Sequence, residues 1–400
     1  MKRDLVSVRS IMALVLTTMV VSIPLALTYR KTQAAAVVEF GLRVNLVGEA
    51  DPLPLLNAAQ IMRSDWIAQT IRWKDIEPQP GDYHWERLDA CIQAARPYGF
   101  HILLSVSGAP DWSRPAGSDL TQDGPPSDYA TFATFLTGLA TRYAGLVHAY
   151  EIWPEANLNS RWSSLSGVSP SQYTELLRQS YSAIKAADPS AKVVAGGLAP
   201  TGANDGYNVI DDLSFYQGMY NAGAANYFDA LGVRVDGFNN PPNDSPTIAT
   251  VATPNYKGHT SFYFRHYEDV RAVMVANGDA DKMLWLTSAG WASSATVVPG
   301  MEFAADVSEQ QQAEYLATAL SQVQAQPYIG VILINNFNYA ATGDVATGLY
   351  SLIRVDWSAR PAFITLAQLR QNALSAPPAQ AQITPVHTLP NWTPRHRKLP

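Results

Sequence analysis

The chain has 400 residues, 47% of them hydrophobic, and a net charge of −6. This size and composition can bury the core of one barrel-sized domain or two smaller ones. The mildly acidic balance, without Lys/Arg-rich runs, argues against a nucleic-acid partner. The single cysteine, Cys91, excludes an internal disulfide and a Cys-based metal cluster, and its neighbours at helical spacing predict a core position.

The N-terminal residues have the layout of an export signal. Basic residues precede the apolar run 11–27, and further basic residues and the small-residue stretch 34–36 follow it. We predict that residues 1–36 form a signal peptide cleaved after Ala36. An uncleaved single-span membrane anchor is the alternative, because the apolar run is long and flanked by positive charge. In both cases the protein is expected to work outside the cytoplasm, either secreted or membrane-attached.

The C-terminal residues 375–400 are rich in Pro, Gln and Ala and show no apolar period. They predict a disordered tail. Residues 37–374 are then expected to form one folded domain.

Within that domain, short β-branched runs alternate with amphipathic helical stretches, a pattern typical of βα units around a parallel sheet. The predicted strands are Phe40–Asn45, Trp66–Arg72, His101–Val106, Ala149–Trp153, Lys192–Gly196, Ala230–Val235, Met283–Thr287 and Gly330–Asn335. The predicted helices are Leu53–Arg63, Glu86–Tyr98, Ser127–Ala144, Gln172–Ala187, Leu213–Ala222, Phe262–Asn277, Glu309–Gln324 and Ala362–Leu374.

Eight consecutive βα units predict a single (β/α)8 TIM barrel. A doubly wound sheet is the competing fold, but it needs a Gly-rich phosphate loop after its first strand, and none follows Phe40–Asn45. The Gly196-Gly197 pair predicts only a common turn at the end of the fifth strand.

Glu155, just after the fourth predicted strand, is the main candidate for a catalytic residue. Catalytic groups of TIM barrels collect at the C-terminal ends of the strands, and a glutamate there can serve as a proton donor. A solvated loop carboxylate is the plainer interpretation.

Several stretches of the chain resemble one family of enzymes. They are residues 72–85, 105–112, 150–158, 229–233 and 285–291. Together they resemble the TIM-barrel retaining glycoside hydrolases of clan A, especially bacterial relatives of families 5 and 39, across nearly the whole barrel. The resemblance implies a carbohydrate partner with β-linked sugars, an acid/base glutamate after strand four and a nucleophilic glutamate after strand seven, about 5 Å apart.

This chain departs from the family at the bond-breaking subsite. The acid/base motif Trp-Asn-Glu-Pro-Asn becomes Trp-Pro-Glu-Ala-Asn at residues 153–157, which keeps Glu155 but replaces the sugar-binding asparagine with Pro154. The strand-seven pattern Trp-x-Thr-Glu-x-Gly-Trp places Ser288 at the nucleophile position. A serine hydroxyl carries no charge and is a weak nucleophile without a base beside it.

Two further departures fall at the same subsite. Residues 234–237, Arg-Val-Asp-Gly, replace a His-Pro-Tyr-like sequence after strand six, and Asn335 replaces a platform tryptophan at strand eight. The clustering predicts lost or altered catalysis, because scattered drift would also have changed outer positions.

Four other residues are candidates for binding sugar. They are Arg72, Trp112, Asn157 and Trp291. Each has a structural alternative: a surface ion pair for Arg72, core packing for the two tryptophans and a capped turn for Asn157. We expect no cofactor and no metal, since the seven histidines include no HExxH pair. Ser288 also lacks the Gly-x-Ser-x-Gly context of an esterase.

Three functions remain open. The first is an exported, catalytically degenerate glycosidase-fold protein that binds β-linked carbohydrate. The second is an active hydrolase with Glu155 as acid and Asp236 as base for a water molecule. The third is a scaffold without sugar contact.

Overall fold

The computed structural model describes residues 38–246 and 259–375. The predicted export segment and all but the first residue of the predicted tail lie outside the described residues. Where the chain is described, no helix is both long enough and apolar enough to span a membrane.

Eight parallel strands close into a barrel in chain order, with β8 pairing back onto β1. They are β1 Glu39–Val44, β2 Trp66–Arg72, β3 His101–Ser107, β4 Ala149–Ile152, β5 Lys192–Leu198, β6 Ala230–Asp236, β7 Met283–Gly290 and β8 Ile329–Ile334. The predicted (β/α)8 barrel is confirmed, and every predicted strand is present with its ends shifted by at most a few residues.

The helices that the structure describes surround this barrel. They are α1 Leu53–Ile61, α2 Trp73–Ile76, α3 Glu86–Ala95, α4 Tyr129–Arg142, α5 Pro170–Ala187, α6 Asp212–Asn221, α7 Tyr267–Ala276, α8 Glu309–Gln324, α9 Val345–Gly348 and α10 Pro361–Ser375. The eight predicted helices are present, although α7 begins at Tyr267 rather than Phe262, because residues 260–262 and 264–266 form separate 3-10 turns.

Local capping chemistry explains where several helices begin. The side chain of Asp128 accepts a hydrogen bond from Ala130 N at 2.9 Å at the start of α4. A reciprocal capping box between Ser308 and Gln311 opens α8. Such caps satisfy backbone N–H groups that have no partner within the helix.

The strands alternate between two apolar layers. Outward side chains such as Phe40, Leu42 and Val44 join the large core between barrel and helices, which also contains Cys91 as predicted. Inward side chains fill the barrel axis: Trp66, Ala68, Leu103, Ala149, Val194, Ala230, Trp285, Val331 and Leu333. These side chains pack the lower part of the barrel axis.

One turn prediction was wrong. Gly196 and Gly197 lie within β5, which continues to Leu198, instead of following the strand. A Cβ at Gly196 would approach Ile152 O to 2.4 Å. The glycine is therefore needed for the close approach of β4, the strand that leads to Glu155.

Candidate active site at the barrel mouth

The upper end of the barrel brings β6 and β7 side by side, with Arg234 opposite Ser288 and Asp236 opposite Gly290. Val233 and Val235 belong to the outer core. Because side chains alternate along a strand, Arg234 and Asp236 face the barrel axis. A register shift after Val233 turns Ser288 to the same side.

A buried polar layer lies beneath the mouth. Arg43 and Glu151 form an ion pair of 3.3 Å, with side chains 8% and 0% exposed. Arg43 also donates to Thr287 O at 2.9 Å and to Thr70 Oγ1 at 2.9 Å. Glu151 accepts hydrogen bonds from Ser105 Oγ and from Gly197 N. The layer thus links β1, β2, β3, β4, β5 and β7 directly under the residues of the mouth.

Glu155 lies just beyond β4 at the mouth, where the sequence predicts it. Its backbone N donates to Gly197 O at 2.9 Å, and both Trp153 and Glu155 have positive φ angles, 50° and 62°. For residues with a side chain this conformation costs about 1–2 kcal/mol. The strained exit from β4 is therefore held in place by its contacts with β5.

The Glu155 carboxylate is held by two guanidinium groups. Arg161 Nε donates to Oε2 at 3.0 Å, and Arg234 Nε lies 3.3 Å from Oε1. Burial alone would raise the pKa of Glu155, but Arg234 and Arg161 outweigh it and hold the pKa below its ordinary value. Glu155 is therefore ionised at neutral pH.

Asp236 has the opposite character. It is 9% exposed, and its Oδ1 has no hydrogen-bond partner among the described residues. Burial raises the pKa of Asp236 to about 6; Arg234 opposes the shift and the charge of Glu155 adds to it. The two carboxyl groups of the mouth thus differ strongly in proton affinity.

Ser288 is fully buried, and its Oγ has no hydrogen-bond partner in the described part of the chain. Among residues 38–246 and 259–375, no carboxylate is therefore hydrogen-bonded to this hydroxyl. The neighbouring Thr287 Oγ1 is also buried without a partner. At strand eight, Asn335 follows β8, and the Asn335–Asn336 peptide bond is cis.

Arg72 ends β2 and is 43% exposed, with Nη2 donating to Asp123 Oδ1 at 3.0 Å. Lys74 donates to the same oxygen at 2.8 Å, and Arg161 Nη1 lies 4.0 Å from Oδ2. Asp123 itself is only 13% exposed. We name Arg72, Lys74 and Arg161 the cation cluster. Arg72 is thus in an ion pair, as its alternative interpretation predicts, and still borders the mouth.

Two of the predicted sugar-binding residues are corrected by their burial. Trp291 is 0% exposed and donates from Nε1 to Asn240 O at 2.8 Å, so it offers no ring face to a ligand. Asn157 is also 0% exposed and uses its side chain to bind Ala199 N, Ala199 O and Ile210 O. Both residues stabilise the barrel instead of lining the cleft.

Trp112 remains partly exposed. Its ring meets that of Trp73 edge-on at 5.5 Å, and its Nε1 donates to Glu77 O at 3.3 Å. One side of the ring is thus committed to packing.

Four residues of this site were not predicted from the sequence: Arg43, Glu151, Asp123 and Arg161. For the first two a signal exists, since each is a charged residue at an inward position of a largely apolar strand. Asp123 and Arg161 lie in loops without a motif, so only the folded structure brings them together.

Two other features bear on ligands. Among the described residues, no group of three His, Cys, Asp or Glu side chains is placed to hold a metal ion. A cavity of about 560 Å³ lies beside the mouth, lined by residues that include Ser293, Asp306, Glu309 and Arg360. None of the mouth residues described above lines it, so we do not assign it to the site.

Comparison with known proteins places the fold among glycoside hydrolases. No protein-family model matches the chain, and no curated protein matches it by sequence. A family 39 glycoside hydrolase from Bacteroides cellulosilyticus WH2 superposes with a TM-score of 0.61 and 19% identity over 83% of this chain. The chain spans 63% of the length of that enzyme.

Two further structures have the same architecture. A GH5_18 protein from Streptomyces cattleya, solved with GlcNAc, has a TM-score of 0.62 and 16% identity, covering 86% of this chain and 82% of its own. Xylanase 10B from Thermotoga maritima has a TM-score of 0.57 and 13% identity, covering 85% and 97%. At these identities the likeness shows the fold alone: the chain shares the TIM-barrel fold of these glycoside hydrolases.

Proposed function

We propose that this protein binds β-linked carbohydrate at the mouth of its barrel and does not catalyse the double displacement of retaining glycosidases. The observation that carries the proposal is Ser288, buried at the nucleophile position with no carboxylate on its hydroxyl. Double displacement needs two carboxyl groups about 5 Å apart, one of which attacks the anomeric carbon. Ser288 supplies neither the negative charge nor, without a base beside it, a competent nucleophile.

The state of Glu155 supports the same conclusion. A general acid must carry a proton when the leaving group departs. Glu155 is instead held ionised by Arg161 and Arg234. Glu155, at the acid/base position of the resembled family, is therefore largely deprotonated at neutral pH and poorly suited to act as a general acid.

A glycan array and a hydrolysis panel test this proposal together. We expect binding of β-linked oligosaccharides and no turnover of aryl β-glycosides. Turnover by the wild-type protein that disappears in Glu155→Gln would overturn the degenerate assignment. Absence of any glycan binding would instead favour the scaffold without sugar contact.

A matched pair of variants asks whether the cleft still positions a sugar. Ser288→Glu restores a carboxylate at the nucleophile position, and Ser288→Ala is its control. Hydrolysis by Ser288→Glu, but not by Ser288→Ala or the wild type, would indicate that the cleft still positions a sugar and lacks only the nucleophile. Pro154 works against full recovery, because it cannot supply the amide of the family asparagine.

A second candidate function rests on Asp236. Its unpartnered Oδ1 and its pKa of about 6 make it a group able to exchange a proton near neutral pH. Paired with Glu155 it would allow hydrolysis with inversion, which uses carboxyl groups roughly 6.5–9.5 Å apart. The pKa directions suit Asp236 as acid and Glu155 as base, the reverse of the roles expected from sequence. NMR of the first-formed anomer tests this: inverted product that is lost in Asp236→Asn would support the hydrolase.

We also propose that the protein is exported, on the layout of residues 1–36. N-terminal sequencing of the native protein distinguishes the two forms. A mature chain that begins after Ala36 indicates secretion, and a membrane-bound chain that keeps these residues indicates an anchor. An intact chain in the cytoplasm would overturn the proposal.

A further inference from the structure

The three side chains of the cation cluster carry more hydrogen-bond donors than their shared carboxylate, Asp123, accepts. Arg72 donates to Asp123 only through Nη2, and its Nε is buried without a partner among the described residues. Lys74 has one side-chain hydrogen bond, and Arg161 Nη1, at 4.0 Å, is beyond hydrogen-bond distance of Asp123. A guanidinium carries five N–H donors and an ammonium three. Most of the donors of the cluster are therefore left for solvent or a ligand.

These cations are accessible from the mouth. Side-chain exposure is 43% for Arg72, 26% for Lys74 and 52% for Arg161, against 13% for Asp123. The carboxylate is therefore the least accessible of the four groups. A ligand that enters the mouth thus meets positive charge before it meets Asp123.

The local charge balance is positive. The cation cluster and Arg234 supply four positive charges, whereas Asp123 and Glu155 supply two negative ones. Arg43 and Glu151 cancel each other beneath the mouth. Even with Asp236 ionised, one positive charge remains in excess. This balance runs against the net charge of −6 of the whole chain.

The nearby charges outside the mouth are one cation, Arg114, and three carboxylates, Asp111, Asp119 and Glu77, so the positive excess is confined to the mouth residues themselves. Arg114 bonds to the backbone carbonyls of Gln122 and Ser163, and Asp111 and Asp119 act on it electrostatically. Glu77 is buried and bound by Trp73 Nε1 and Gly81 N.

We propose that the mouth selects acidic glycans, in which a uronic-acid carboxylate binds the free donors of Arg72, Lys74 and Arg161. This inference rests on the proposed function, and it names the substrate class. A planar carboxylate matches the fork of a guanidinium and forms charge-assisted hydrogen bonds that are stronger than neutral ones. A neutral sugar hydroxyl would leave the excess charge at the mouth uncompensated.

The test compares two β-1,4-linked chains of equal length, cello-oligosaccharide and its counterpart with every C6 oxidised to a carboxylate. They differ only in the group that the cation cluster would bind. We expect the uronate chain to bind at least about 10-fold more tightly, as one charge-assisted hydrogen bond would give. This preference is expected to shrink as ionic strength rises from about 0.05 to about 0.5 M.

Variants of the cation cluster test whether it is the source of the uronate preference. Arg161→Gln and Lys74→Gln are each expected to weaken uronate binding by about 10-fold, and Lys74→Gln, which leaves the contacts of Glu155 intact, is expected to keep cello-oligosaccharide binding within about 2-fold. Arg178→Gln is the matched control, because the side chain of Arg178 is exposed to 43%, between Lys74 at 26% and Arg161 at 52%, but is paired with Glu175 on the outer helix α5. Should a cluster variant fail to fold, the wild-type comparison and its salt dependence still decide.

The outcomes separate the two proposals. Equal affinity for both chains overturns the acidic-glycan inference and leaves the proposed function standing. Uronate preference that survives both variants overturns the assignment to the cation cluster. Binding of neither chain, nor of any glycan on the array, overturns the proposed function and this inference with it.

Discussion

Arg234 reaches from β6 towards the segment after β4 and places its Nε 3.3 Å from Oε1 of Glu155. In the sheet, the same arginine is paired in register with Ser288. One side chain thus connects the acid/base position with the nucleophile position. The contact provides an internal positive partner for Glu155 where the resemblance predicts two glutamates working on a sugar.

The first prediction concerns this contact. In Arg234→Met the pKa of Glu155 should rise, because the close opposite charge that favours the ionised carboxylate is removed. The pKa of Asp236 should also rise, since Arg234 lowers it in the wild type. NMR titration of side-chain-labelled protein measures both, with Arg178→Met as control. An unchanged Glu155 pKa would contradict the assigned role of Arg234.

The second prediction concerns the buried pair of Arg43 and Glu151. In Glu151→Gln the charge of Arg43 remains buried without its partner, which should cost about 3–5 kcal/mol of unfolding free energy. Replacing both, as Arg43→Met with Glu151→Leu, should be less damaging than the sum of the single changes, because no buried charge is left. Urea denaturation of the wild type, Arg43→Met, Glu151→Leu and the double variant gives the coupling energy. Simple additivity would show that the pair is not coupled.

The third prediction compares two glycines. Gly196→Ala should destabilise the protein by about 1–3 kcal/mol, because the added Cβ meets backbone atoms of the β4 exit. These atoms are Ile152 O at 2.4 Å, Trp153 O at 2.7 Å and Pro154 N at 2.8 Å. Gly138→Ala, in the middle of α4 with nothing within 4 Å of the new Cβ, should instead stabilise by about 0.5–1 kcal/mol. Thermal unfolding shifts of opposite sign are expected; equal shifts would refute the steric argument.

The fourth prediction concerns His266, buried between Asp212 at 2.5 Å and Asp269 at 3.2 Å. Burial alone would lower the pKa of His266, but hydrogen bonds to the two carboxylates raise it to about 9. The folded pKa thus lies above the ordinary value near 6.5. The stabilisation is therefore complete below that value and is lost as the pH rises through about 9.

The stabilisation that the charged His266 contributes is on the order of 3 kcal/mol, from the size of its pKa shift. Unfolding free energies measured between about pH 6.5 and about pH 10 should show this decline. His266→Gln should remove it, whereas His84→Gln, at an exposed imidazole beside Asp82, should keep it. A decline that persists in His266→Gln would assign it to another group.

The barrel itself was predictable, because it depends on local patterns that recur along the chain. Each strand is a short apolar run, and each helix has an apolar face and in several cases a capping residue, as at Asp128 and Ser308. The position of Glu155 followed from the same count of strands. Burial within loops was not predictable: Trp291 and Asn157 look like ligand contacts in sequence but are enclosed by neighbouring elements.

By itself, the sequence determined the eight strands and their order, since these depend on periodicity along the chain, and through the family resemblance it predicted Ser288 at the nucleophile position. Only the tertiary structure decided the charge state of the site. Arg161, Arg234 and Asp123 are far apart in sequence, and a carboxyl pKa depends on charges within a few ångströms and on burial from water. For that reason Glu155 can be located from sequence as a carboxylate at the mouth, but its two guanidinium partners become visible only in the folded barrel.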